Sequence, residues 1–363
     1  MFAPPHSRRP RFPLATRVTV ALTATVALAS TAGVASAPAR VEAAQVPVVN
    51  VAALTTVAPS TSRLSGPDRY ATAVAISKAN FDPTMEWAVV ASGETFSDAL
   101  GAGPFASLLR APLILVPRTG TLPSVVATEL DRLKVKKIVV VGGTSAVSAT
   151  MSTQLGRHIT GGTASYLTRV AGVNRFDTAA QLTEGFDPVL TGVPVYIANS
   201  ASPDALGGGA AASIGGGALL LSKATSLPKE TVAALKRVKP SKVYVLGGTS
   251  VISSAAVAAV RAAVPGVGVQ RLAGADRFET AAKVSREAVA SSPQILLANG
   301  LNYPDALAGS ATALYGGRPV LLTRKECVPS ATLAEIKRLG TTRVTALGGT
   351  VMVSDAALKL KAC

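Results

Sequence analysis

Aromatic side chains are scarce in this chain, at 4% of 363 residues with a single tryptophan. Proteins that grip single-stranded nucleic acid stack bases on aromatics set among Lys and Arg. No such stripe is present, so nucleic acid is not expected as a partner. Histidine is nearly missing as well: there are two, and only His158 lies beyond the N-terminal leader. Without a second imidazole, neither a metal cluster nor a Cys/His nucleophile pair is supported, and no metal, cofactor or catalytic residue is expected. A Ser/His/Asp triad around His158 is the one hydrolytic arrangement left open, because triads are assembled in space. Acids are few, 20 against 36 Lys and Arg. Beyond the leader no apolar run approaches the ~20 residues needed to span a bilayer, and the C-terminus carries no hydrophobic anchor.

The leader has its own composition. Arg8, Arg9, Arg11 and Arg17 precede a weakly apolar stretch from Val18 to Val34. Small-residue sites follow at Ala35-Ser36-Ala37 and Val41-Glu42-Ala43, which reads as a secretory signal peptide over 1–43. Pro38 disfavours the first site. Arg8-Arg9 with Phe12 is a faint twin-arginine signal, and residues 44–62, rich in Val, Thr, Ala and Pro, read as a linker. Removing the leader takes away five arginines and Glu42, which leaves a net charge of about +12. An exported chain this basic is drawn to anionic surfaces. Outside the cell two cysteines usually pair, so Cys327 and Cys363 are expected to form a disulfide, for which loop entropy gives roughly 4 kcal/mol.

One pattern is written three times. It opens at Arg63-Leu64-Ser65-Gly66-Pro67-Asp68-Arg69-Tyr70, again at Arg169-Val170-Ala171-Gly172-Val173-Asn174-Arg175-Phe176, and again at Arg271-Leu272-Ala273-Gly274-Ala275-Asp276-Arg277-Phe278. Asp98, Asp204 and Asp305 recur inside a D-A-L motif, and Gly142-Gly143-Thr144, Gly247-Gly248-Thr249 and Gly348-Gly349-Thr350 recur after it. The second arginines of the opening, Arg69, Arg175 and Arg277, stand 106 and 102 residues apart. A period near 100 is domain-sized, and the copies are bounded at 63–163, 164–265 and 266–363. Each copy alternates short apolar runs with amphipathic segments. Runs without polar alternation suit parallel strands covered on both faces, and the alternation implies right-handed crossovers. The expected fold is α/β: three tandem Rossmann-like or flavodoxin-like units with parallel sheets. Asp68, Asn174 and Asp276 are expected to cap the first helices, with Glu279 completing a capping box on Asp276. Pro123, Pro228 and Pro329 announce later helices, whose last turns carry dipole-complementing cations such as Arg132, Lys236, Arg237, Lys337 and Arg338.

Ligands of open α/β sheets bind at the carboxyl ends of the strands. Both the aspartate loops and the Gly-Gly-Thr turns follow strands. The aspartates are read as helix caps or as partners of Arg69, Arg175 and Arg277, with ligand-binding or catalytic acids as the alternative. The turns lack the spacing of a nucleotide loop, though Gly143, Gly248 and Gly349 are placed to offer N–H groups to an anion. Cations follow the third strand of each copy: Arg118, Lys223, then Arg324 and Lys325. These are the candidate contacts for an anionic ligand.

The repeated R-L-x-G-x-D/N-R-Y/F-x-T-A opening, the P-D-A-L loop and the G-G-T-x-x-V/I-S turn resemble cell wall binding repeat type 2, found in surface proteins of Gram-positive bacteria. The resemblance implies three Rossmann-like modules closed into a triangular ring. It also implies non-covalent attachment to anionic secondary wall polymers, teichoic-acid-like or acidic polysaccharide. It further implies an anchoring strand motif, here Pro112-Leu113-Ile114-Leu115 and Pro319-Val320-Leu321-Leu322, with Ala218 replacing the proline in the second copy. The expected function is a secreted, non-catalytic wall-binding protein at the cell surface. A wall-associated hydrolase, amidase or amidase modifier, and a surface adhesin, are the alternatives.

Overall fold

The computed structural model describes residues 58–161, 166–185 and 190–363. The leader and the linker up to residue 57 lie outside them. The first copy comprises β1 (Ser60–Leu64), α1 (Arg69–Asn80), β2 (Trp87–Ser92), α2 (Phe96–Ala99), α3 (Ala102–Leu108), β3 (Leu113–Val116), α4 (Ser124–Leu133), β4 (Lys137–Val141) and α5 (Ala149–Gly156). The second comprises β5 (Leu167–Val170), α6 (Arg175–Glu184), β6 (Pro194–Asn199), α7 (Asp204–Ile214), β7 (Ala218–Ser222), α8 (Lys229–Val238), β8 (Lys242–Leu246) and α9 (Ser254–Ala263). The third comprises β9 (Gly268–Leu272), α10 (Arg277–Ala288), β10 (Gln294–Asn299), α11 (Pro304–Ser310), β11 (Val320–Thr323), α12 (Ser330–Arg338), β12 (Arg343–Leu347) and α13 (Asp355–Leu358). The α/β class and the parallel sheets are as the sequence implies.

The sheets do not respect the repeat boundaries. Their orders are β3-β2-β4-β5, β7-β6-β8-β9 and β11-β10-β12-β1, all parallel. Each sheet takes its fourth strand from the next copy, and the first strand of the chain completes the last sheet. Ser60 pairs with Arg343 and Leu64 with Leu347, 283 residues apart. Residues 60–62, expected at the end of the linker, therefore belong to a strand.

Alternation along the strands divides the core. Ala88, Val90, Ile138 and Val140 face a cluster private to the first sheet, while Val89, Ala91, Val139 and Val141 face a cluster shared by all three copies. Covering both faces is why the strands read as unbroken apolar runs. Helices α3, α7 and α11 each contact the other two at this shared core, and α6, α10 and α1 pack on the helices of the preceding sheet. The tiny side chains of these helices thus serve approaches between units. A Cβ at Gly103 would fall 1.8 Å from Oγ of Ser310. The anchoring strand motif lies in the same interior: Leu113, Ile114, Leu115, Val320, Leu321 and Leu322 are all at most 2% exposed, and Pro112 and Pro319 are buried. These side chains cannot touch a wall polymer directly, and any share they have in anchoring is exerted through the fold.

Arg132 and Arg338 do more than complement a helix dipole. Each forks onto a wholly buried glutamate, Arg132 onto Glu129 at 2.7 and 2.8 Å and Arg338 onto Glu335 at 2.7 and 2.6 Å. Ser77 and Ser285 donate to the same carboxylates. The second copy has Ala234 at this place, and Nε of Arg237 is left buried without a partner.

Because Gly103 leaves no room at the joint, Gly103→Val is expected to destabilise the protein by about 2 kcal/mol through overpacking. Urea denaturation measures it, and pairing the change with Ser310→Gly should recover part of the loss.

Candidate functional site

The carboxyl ends of the strands are built by the repeated opening. Asp68 caps α1 by accepting from the N–H of Ala71 at 2.8 Å, Asn174 accepts from Phe176 and Asp177, and Asp276 accepts from Phe278 and Glu279. Glu279 reaches back to the N–H of Ala275 at 2.7 Å, one residue before the cap, rather than closing the box on Asp276 itself. Thr72, Thr178 and Thr280 accept from the N–H of Gly66, Gly172 and Gly274, which folds the loop onto the helix.

The first arginine of each opening reaches across the joint. Arg63 donates to the carbonyl of Gly348 at 2.8 Å, Arg169 to Gly142 at 2.6 Å and Arg271 to Gly247 at 2.6 Å. Their second donors go to Asp355, Ser152 and the carbonyl of Ile252. No role for these arginines was read from the sequence, although their recurrence three residues before a Gly was the available signal.

The recurring aspartates Asp98, Asp204 and Asp305 sit under the same turns. A Cβ at Gly348 would lie 2.3 Å from Oδ2 of Asp305, and one at Gly247 would lie 2.6 Å from Oδ2 of Asp204. The first glycine of each turn also has φ between 96° and 99°. Glycine is required there on both counts. The aspartates lie in the first turns of α2, α7 and α11 but make no capping hydrogen bond. Their cationic neighbours belong to the following copy: Arg175 acts on Asp98, Arg277 on Asp204 and Arg69 on Asp305. Burial outweighs this attraction and raises all three carboxyls, Asp305 to about 6. Arg69 and Arg277 are held by the carbonyls of Gly93 and Gly300. Beside Asp305 and Arg69 opens a cavity of about 200 Å³, lined also by Asp68, Asn302, Gly349 and Met352.

The expected anion contacts are placed differently from one another. Arg118, Lys223, Arg324 and Lys325 are all exposed at the strand ends. The carbonyls of Arg118, Ala224 and Lys325 accept from Ser148, Ser253 and Ser354. This makes Arg118 the equivalent of Lys325 and not of Lys223 and Arg324. Lys223 and Arg324 share a position, 5.9 and 5.6 Å over the rings of Phe176 and Phe278, where the first copy has Pro117. No position in these loops after the third strands carries a cation in all three copies. Lys325 is paired with Glu326 at 3.1 Å. Gly143, Gly248 and Gly349 are also not at a helix start: α5, α9 and α13 begin after Ser148, Ser253 and Ser354, whose hydroxyls cap them. His158 bonds Asp131 at 2.7 Å on the opposite edge of its sheet. Among the described residues no group of His, Cys, Asp or Glu is arranged to hold a metal, and no helix is long and apolar enough to cross a membrane.

These features define a class: a tandem α/β protein of three strand-exchanging units, each joint built by the same arginine, aspartate and double-glycine turn. The chain belongs to the cell wall binding domain 2 (CWB2) family, which matches at residues 63–152, 169–257 and 271–358. It is 31% identical over 270 residues to the N-acetylmuramoyl-L-alanine amidase LytC of Bacillus subtilis, covering 74% of this chain and 51% of that protein. It is 23% identical over 297 residues to the amidase enhancer of the same organism, covering 81% of this chain and 39% of that protein. The chain thus spans about half or less of the length of these curated relatives. Its fold is similar to Cwp6 from Clostridium difficile, with a TM-score of 0.75 and 24% identity over 84% of this chain and 48% of that one. Cwp8 from the same organism gives 0.73 and 24% over 82% and 50%.

Asp305 binds its proton more tightly folded than unfolded, so its contribution to stability is full below about pH 4 and is lost as pH rises through about 6. Asp305→Asn should remove that part of the pH dependence and leave the protein more stable than wild type near pH 7. Denaturation midpoints between pH 4 and 7 measure it, and parallel curves for the two proteins would contradict the assignment.

Proposed function

We propose that this chain is a secreted, non-catalytic protein that attaches non-covalently to anionic polymers of the bacterial wall. The observation that carries the reading is that wall-binding domains occupy the chain from residue 63 to residue 358, three times over. The excess of cations over acids supports an anionic partner. At the strand ends, Arg118, Lys223, Arg324 and Lys325 are the groups that reach the polymer. The aspartates and arginines at the joints hold those loops in place and are not catalytic. Several modest sites on one polymer multiply through effective concentration, which explains why three copies serve a binding role better than a single one. The names of the curated relatives point to amidases and their enhancers, and this chain spans only 51% and 39% of their lengths.

Isolated Gram-positive walls, intact or chemically stripped of their anionic polymers, provide the test. Binding should fall on stripping, and it should fall steadily as salt rises from about 0.05 to about 0.5 M. Equal retention on stripped walls would overturn the electrostatic reading, and release of peptide from intact walls by the purified protein would favour the amidase reading. Within the strand-end set, Lys223→Gln with Arg324→Gln should weaken retention about twofold, more than either change alone.

A further inference from the structure

The net positive charge of the described residues is concentrated at the other edge of the sheets, where the strands begin. There α4, α8 and α12 end and turn into β4, β8 and β12. Lys134, Lys136, Lys236, Lys239, Lys337 and Arg343 are exposed on these turns. Most acids of this edge are already engaged, and the exposed Asp82 stands near Arg132. Glu86 holds Lys137 at 2.8 Å and Lys136 at 3.6 Å, Asp131 holds His158, Glu287 sits 3.7 Å from Lys242, and Glu129 and Glu335 are buried under Arg132 and Arg338. Among the described residues, Lys134, Lys236, Lys239, Lys337 and Arg343 make no ion pair. At the strand ends, by contrast, Lys325 is spent on Glu326, Arg63 on Asp355 and Lys283 on Glu279.

The cations of this edge also repeat in register, which those that follow the third strands do not. Lys137, Lys242 and Arg343 are each the first residue of their strand. Lys134 and Lys239 hold the same position after their helices, each with φ of 47°, and Gly340 takes it in the third copy with φ of 65°. That left-handed conformation disfavours any side chain. Two copies nevertheless place a long exposed cation where glycine would fit without strain, and strain of this kind is kept where a side chain is needed.

We propose that the strand-start edge is a second contact surface for phosphate- or carboxylate-bearing wall polymer, and that it carries the larger share of the salt-dependent affinity. The polymer's identity rests on the wall-binding reading above; the location of the contact does not. Two variants separate the edges. The first combines Lys134→Gly, Lys239→Gly, Lys236→Gln, Lys337→Gln and Arg343→Gln. The second is Lys223→Gln with Arg324→Gln. Labelled inorganic polyphosphate and poly-L-glutamate serve as soluble probes by fluorescence anisotropy, and isolated walls by pull-down.

The first variant should bind polyphosphate at least tenfold more weakly, with a salt slope shallower by about 3. The second should lose about twofold. The two glycine changes relieve strained backbone, so the denaturation midpoint of the first variant should not fall. A folded first variant that binds both probes like wild type would overturn the proposal. So would retention of the wild type on phosphatidylglycerol vesicles more tightly than on polyphosphate, which would make the edge a lipid contact. Wild type that binds polyphosphate with this edge dependence but does not bind walls would sink the wall-binding reading and leave the surface standing.

Discussion

The joint between consecutive units depends on one guanidinium. Arg63, Arg169 and Arg271 each arrive on a strand that belongs by sequence to one copy and by hydrogen bonding to the sheet before it. Each then locks that strand by donating to the carbonyl of the first glycine in the preceding copy's turn. The backbone completes the lock from the other side: the N–H groups of Gly348, Gly142 and Gly247 donate to the carbonyls of Leu64, Val170 and Leu272. The rest of the strand-end architecture follows. The turn must have positive φ, the aspartate beneath it must approach without a Cβ in the way, and the next helix must start at the capped Asp68, Asn174 or Asp276. A charge-assisted bond of this kind is roughly twice as strong as a neutral one.

The copies share this joint but differ in what supports it. The first and third bury a glutamate under an arginine fork, and the second leaves Arg237 to the hydroxyl of Thr183, the carbonyl of Ala180 and, at 3.4 Å, the carboxylate of Glu184. The third copy ends in a helix of 4 residues where the first has 8 and the second 10. There the structure joins Cys327 to Cys363, with Cα atoms 4.8 Å apart. The N–H of Val328 donates to the carbonyl of Lys361, and that of Cys363 to the carbonyl of Val328. The disulfide and this short pairing hold the tail that a longer helix would otherwise hold. They also tether the loop that carries Arg324 and Lys325.

Much of the fold was legible in the chain. Apolar runs located the strands, and the caps at Asp68, Asn174 and Asp276 located helix starts, because capping is a local matter of a side chain and the next three N–H groups. Pro123, Pro228 and Pro329 proved to be the caps themselves rather than the first helical residues. The exchange of strands was not legible. A repeat has a period but no origin, and β1-first or β1-last cuts of the same pattern read identically until a strand is paired. The equivalence of the strand-end cations failed for a similar reason: Pro117 displaces the cation by one residue in the first copy, and only the pairing of Ser148 with the carbonyl of Arg118 reveals it. The charge at the strand-start edge was visible as helix-end cations. Its excess emerged only when Glu129, Glu335 and Glu86 were found already engaged.

If each sheet borrows a strand from its neighbour and the three central helices share one core, the described units cannot unfold separately. Differential scanning calorimetry of the oxidised, intact chain tests this most directly. The account expects a single transition whose van't Hoff and calorimetric enthalpies agree. Three resolved transitions, or a calorimetric enthalpy about three times the van't Hoff value, would show that the copies fold as independent domains and would contradict it.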